Sequence, residues 1–94
     1  MSAESWKLVP TQQMTLRIYR CGVAVGQRLR LKRDLAIREH SGRPTGEVHP
    51  AGENWLVLSG NPAEPDIVWL REPNGDRHTW DNETLLDWFE IESA

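Results

Sequence analysis

The side chains in this sequence able to hold a metal ion or act as nucleophiles are few: Cys21, His40, His49 and His78. Zinc and related ions need three or four ligands, and sequences that supply them space the ligands closely, as in C-x-x-C or H-x-x-x-H. The four residues stand singly. They read as structural or surface groups, and neither a metal nor another cofactor is expected. A thiol nucleophile needs a base beside it. Nothing in the spacing brings a histidine to Cys21, which reads as a small buried hydrophobe. The acidic run Asp81, Glu83, Asp87, Glu90 and Glu92 singles out no pair for acid–base work, and carboxylates around a helical turn cap and solubilise it. Gly-x-Gly-x-x-Gly, Gly-x-Ser-x-Gly and P-loop patterns do not occur, and Gly42-Arg43-Pro44-Thr45-Gly46 lacks the lysine of a phosphate loop. The chain is not expected to be an enzyme in its own right.

Function then falls to surfaces. Residues 1–50 carry nine Lys and Arg against four Asp and Glu, giving +5, while residues 51–94 carry two against ten, giving −8. Arg17, Arg20, Arg28, Arg30, Lys32 and Arg33 offer a basic row that could neutralise phosphates, so a nucleic-acid-binding domain is one reading. The net charge of −3 and the acidic second half oppose it. In one domain the two halves can simply pair. A protein partner, met through exposed aromatic and charged residues, is therefore the first expectation, with Trp69, Arg71, Arg77 and Trp55 as its candidate contacts. A subunit-like role within an enzyme complex is a weaker reading.

These residues must be held by a fold that 94 residues can build, which means one core and one domain. Segment 1–13, ended by Pro10 and polar residues, reads as an N-terminal arm, and 14–94 as the domain. Met14, Leu16 and Ile18 alternate with polar residues as in a half-buried strand. Gln27 through Lys32 alternates strictly, placing Leu29 and Leu31 inward and Arg28, Arg30 and Lys32 outward. Leu35–Arg38 continues as strand, residues 41–46 read as a loop, and Glu47–His49 as a short strand. Trp55–Leu58 and Ile67–Leu70 are continuous apolar runs suited to covered strands. Arg77–Trp80 forms a further strand, residues 83–87 a helical turn, and Trp88–Ile91 the last strand. The expected shared core is Leu29, Leu31, Leu56, Leu58, Val68, Leu70 and Trp80.

The turn Glu72-Pro73-Asn74-Gly75 sets a register. A two-residue Asn74-Gly75 loop would ask Pro73 for an N–H that it lacks. A type I turn with Gly75 left-handed instead pairs Glu72 with Asp76. Leu70 then meets His78, Trp69 meets Thr79 and Val68 meets Trp80. Val68, Leu70 and Trp80 point inward, so Trp69 shares the outer face with Arg71, Arg77 and Thr79. The alternative is that Leu8 or Val9 of the arm covers Trp69.

Short strands about every ten residues, joined by Gly/Pro turns, predict a mainly β domain, a small barrel of five to six strands with one short helical turn near the C-terminus. A five-stranded barrel with a helical turn before its last strand resembles the Src-homology-3-like class over roughly residues 26–92. Within it, Glu53-Asn54-Trp55-Leu56-Val57 is similar to the acidic residue and tryptophan that open the family's middle strand. The aromatic first loop and the Pro-x-x-Tyr stretch of proline-peptide binders are missing, so the resemblance implies the barrel and not that ligand. No apolar run approaches the ~20 residues of a membrane span. Met1-Ser2-Ala3-Glu4 lacks the basic start of a signal peptide, and a lone cysteine suits a reducing compartment. A cytoplasmic protein is expected.

Overall fold

The computed structural model describes residues 15–92. The expected arm at 1–13, and with it the question of whether Leu8 or Val9 covers Trp69, lies outside the described residues. Among these, seven strands and one helical turn follow in chain order. They are β1 (Arg28–Leu31), β2 (Leu35–Arg38), β3 (Pro44–His49), β4 (Asn54–Val57), β5 (Ile67–Arg71), β6 (Arg77–Asp81), α1 (Leu85–Trp88) and β7 (Phe89–Ile91).

The strands form two antiparallel sheets, one of five strands in the order β6-β5-β4-β1-β7 and one hairpin, β2-β3. A mainly β chain with one short helix was expected and is found. The closed barrel is not: among the described residues the edge strands β6 and β7 are linked through α1 and do not pair. Residues 44–46, expected in a loop, belong to β3, whose pairing with β2 shifts register between Ala36 and Arg38. Segment 15–27 makes only two isolated bridges, Leu16 to Gly60 and Ile18 to Ala24, in place of the strand its alternation suggested. Tyr19 and Val23, outside the expected apolar set, enter the core, while Ile18 stays exposed.

In the large sheet, β1 follows its alternation into the core. Leu29 and Leu31 of β1, Val68 and Leu70 of β5, Leu85 of α1 and Phe89 of β7 are fully buried. The apolar run of β4 has no alternation to read, and its inward face is Trp55 and Val57, not Leu56 and Leu58. Its neighbours decide this: Leu29 pairs with Trp55 and Val57 with Leu70, and residues directly opposite point to the same face. Trp80 packs against this core from a half-buried position.

The hairpin β5–β6 has the register that its proline dictates. Val68 pairs with Trp80, Trp69 with Thr79 and Leu70 with His78. Beyond them the Glu72 amide donates to the Asp76 carbonyl at 2.8 Å, and Gly75 sits at φ +95° as the left-handed bulge residue.

Candidate functional site

On the outer face of the large sheet, strand pairing aligns Arg28 with Leu56, Leu56 with Arg71, and Arg71 with Arg77. Four residues from four strands thus form one lateral row, three of them arginines, on the side opposite the buried Leu29, Trp55, Val57 and Leu70. The next outward row brings Leu58 beside Trp69, whose carbonyl accepts the Leu58 N–H at 2.9 Å, and Thr79 beyond it. A groove of about 400 Å³ runs between the rows, lined by Val25, Leu56, Leu58, Trp69, Arg71 and Arg77, with no acidic side chain in its wall. A second depression continues it past Arg71 to Arg28, Asn54 and Pro73.

Trp69, Arg71 and Arg77 therefore come together as their register required, with Trp69 half-buried. Trp55 does not join them. At 1% exposure it is a core residue, because β4 turns its odd positions inward. The basic row is divided. Arg28 and Arg30 face outward on β1, but Arg30 donates through Nε to Glu90 at 2.7 Å, and Arg20 pairs with Asp66 at 3.2 Å. Lys32 donates to the Leu86 carbonyl at 2.7 Å, and Arg33 lies over the Trp88 ring at 3.8 Å. Arg17 is exposed on the N-terminal segment. Basic first half and acidic second half thus meet across the fold, as Arg30–Glu90 and Arg20–Asp66 show.

A second constellation lies at the mouth of the core, where the inward rows run out of apolar residues. Continuing β5 two positions past Leu70 places Glu72 inward, 7% exposed. Stepping back two from Trp55 on β4 places Glu53 beside it. From the other sheet, β3 delivers Glu47 and His49, the latter 6% exposed and paired with the buried Leu35. The His49 Nδ1 is 2.8 Å from Glu53 Oε1, and its Nε2 is 2.8 Å from Glu47 Oε2 and 3.2 Å from Glu72 Oε1. His78 Nδ1 holds the other Glu72 oxygen at 3.1 Å. The Trp55 indole N–H donates to Glu53 Oε1 at 3.0 Å, and both imidazoles meet the Trp55 ring edge-on at 5.1 and 5.5 Å.

Both His49 ring nitrogens face carboxylate oxygens, which accept a hydrogen bond from a protonated nitrogen. Burial lowers the pKa of His49, but the carboxylates of Glu53, Glu47 and Glu72 outweigh it and raise the value above 6.5. His49 and His78, which stand 29 residues apart in the sequence, so meet on one carboxylate, while Cys21 and His40 stay apart from them. Sequence reasoning set both histidines aside as structural or surface groups and gave Glu47, Glu53 and Glu72 no part in a site. The signal for Glu53 and Glu72 was the period-two count itself, carried one step beyond the apolar residues.

Comparison with family models, with curated proteins and with solved structures finds no match. Function therefore has to be read from these two places. No helix among the described residues is long and apolar enough to cross a membrane.

Proposed function

We propose that this domain is a non-catalytic interaction module whose outer sheet face binds an acidic, partly apolar segment of a partner protein. The observation carrying the reading is Arg71 directly opposite Arg77, with Arg28 in the same row and Trp69 alongside. Like charges facing each other across a strand pair destabilise a sheet. A ligand carboxylate in bidentate contact with such arginines would offset the cost, while Trp69, Leu56 and Leu58 supply the apolar floor. Four of the six cations expected to serve nucleic acid are occupied by Glu90, Asp66, Trp88 and the Leu86 carbonyl, and that favours a protein ligand.

The domain is further proposed to be of the Src-homology-3-like barrel class, supported by five strands in one sheet and a helical turn immediately before the last strand. A cytoplasmic location is proposed on the single cysteine, Cys21.

The test is a comparative pull-down from the native cell with the wild-type domain and with Trp69→Ala and Arg71→Glu/Arg77→Glu variants, followed by titration of each captured partner. Partners lost by both variants, with affinity down at least tenfold, are the expected result. Equal capture by all three proteins would overturn the reading, and nuclease-sensitive capture would replace it with nucleic-acid binding.

A further inference from the structure

We infer that Glu47, His49 and Glu72 form a binding site for one divalent first-row transition-metal ion of the zinc class, with Glu53 as the positioning residue behind His49. The inference is independent of the outer groove. One ligand atom from each of Glu47, His49 and Glu72 lies within 4.8 Å of the other two. Ions of this class hold imidazole nitrogen and carboxylate oxygen at about 2.0–2.2 Å, which sets ligand atoms roughly 3 Å apart. The 2.8 and 3.2 Å separations from Nε2 already approach that spacing.

Two further observations point to a cation. Glu72 Oε1 is buried and has no hydrogen-bond partner, although Nε2 stands 3.2 Å away, while the same Nε2 is 2.8 Å from Glu47 Oε2. A proton on Nε2 would be shared unequally between the two carboxylates, whereas a metal ion accepts three ligands at once. Charge leads the same way. Three carboxylates, Glu47, Glu53 and Glu72, converge on the two imidazoles, with Glu72 largely out of water. A divalent cation among them offsets the crowding of negative charge.

The surroundings are those of a ligating imidazole. A metal-bound histidine ordinarily donates its other ring N–H to a carboxylate, fixing tautomer and orientation. Here Nδ1 faces Glu53 Oε1 at 2.8 Å, and that oxygen is itself held by the Trp55 indole N–H. His78 plays the corresponding part for Glu72 through the oxygen not offered to the metal. One nitrogen and two oxygens disfavour soft copper(I), which prefers sulfur, and calcium or magnesium, which prefer all-oxygen shells. Glu47, half-exposed, closes the site from the solvent side, so the ion can enter there. Two ligands come from the β2–β3 hairpin and one from the end of β5, and no strand of that hairpin pairs with the large sheet among the described residues. The ion would therefore clip the hairpin to the sheet.

The experiment is calorimetric titration of chelator-treated full chain with ZnCl2, with Tm read before and after, and Co(II) absorption as a probe of the ligand set. The expected result is one ion per chain at micromolar affinity or tighter, a higher Tm, and a Co(II) spectrum without thiolate charge-transfer bands. Glu47→Gln, a half-exposed position where the fold tolerates change, should weaken binding at least tenfold. Glu53→Gln should weaken it ten- to a hundredfold while leaving one ion per chain. Cys21→Ser with His40→Ala should change nothing. Failure of the wild type to bind Zn(II), unchanged affinity in Glu47→Gln, or loss of binding in the Cys21/His40 variant would each overturn the site.

Discussion

Tyr19, the only tyrosine in the chain, shows how one polar atom can tie separate segments together. Its hydroxyl donates to the Leu58 carbonyl at 2.7 Å and accepts the Trp69 N–H at 3.3 Å, while its ring fills the core. Tyr19→Phe leaves the Leu58 carbonyl without this donor and should cost about 1–2 kcal/mol in denaturant unfolding. A loss below the error of the measurement would mean that water replaces the bond. Burial, the main cause, raises the Tyr19 pKa above its ordinary 10.0. The native state thus favours the neutral phenol. That contribution is whole below pH 10 and is lost as pH rises through 10 toward the native value, so tyrosinate absorbance should appear above pH 10 together with unfolding. Simple titration at pH 10 with the fold intact would contradict it. Gly60 stands against the same ring. A Cβ there would lie 2.5 Å from the Tyr19 hydroxyl and 2.9 and 3.0 Å from its ring carbons Cε1 and Cζ, so Gly60→Ala should destabilise by about 1–3 kcal/mol, and Tyr19→Phe should relieve only part of that cost.

Among the elements, the β5–β6 hairpin carries the clearest conflict between stability and use. Arg71 faces Arg77 across the pair, a placement that nothing in the folding of the hairpin calls for. Arg71→Glu converts repulsion into a cross-strand ion pair and should raise stability by roughly 0.2–1 kcal/mol. The same change should abolish partner capture. A lower Tm in Arg71→Glu would show that the arginine is structural and remove the chief support for the outer groove. Gly75, at φ +95°, is the one residue of this turn that needs left-handed backbone. Gly75→Ala should therefore destabilise the hairpin by about 1 kcal/mol without altering either site.

At the scale of the whole molecule the two tryptophans separate core from surface. Trp55, 1% exposed, touches His49, His78, Trp80 and Phe89, and Trp55→Ala should cost about 3–5 kcal/mol. By the scaling for a domain of this size, that is a fall in Tm beyond ~12 °C. Trp69→Ala should lower Tm by less than half as much, and equal falls would place Trp69 in the core as well.

The mainly β character, the outward basic row of β1, the hairpin register from Pro73 and Gly75, and the outer placement of Trp69 are all legible in the residues alone. Each rests on local facts: side chains alternate with period two, and proline lacks an N–H. The inward face of β4 was beyond such reasoning. In Trp55–Leu58 every residue is apolar, so only the pairings of Leu29 with Trp55 and Val57 with Leu70 choose the phase. The pairing of Arg30 with Glu90 likewise joins residues whose sequence neighbourhoods share nothing. The cluster around His49 was legible least, because it needs three independent placements at once. β5 must run two residues past its apolar end to bring Glu72, β4 must begin two residues early to bring Glu53, and a separate sheet must lay Glu47 and His49 across both. A burial gradient along each strand could be read from the chain, but the meeting of three strand ends is a fact of tertiary packing alone.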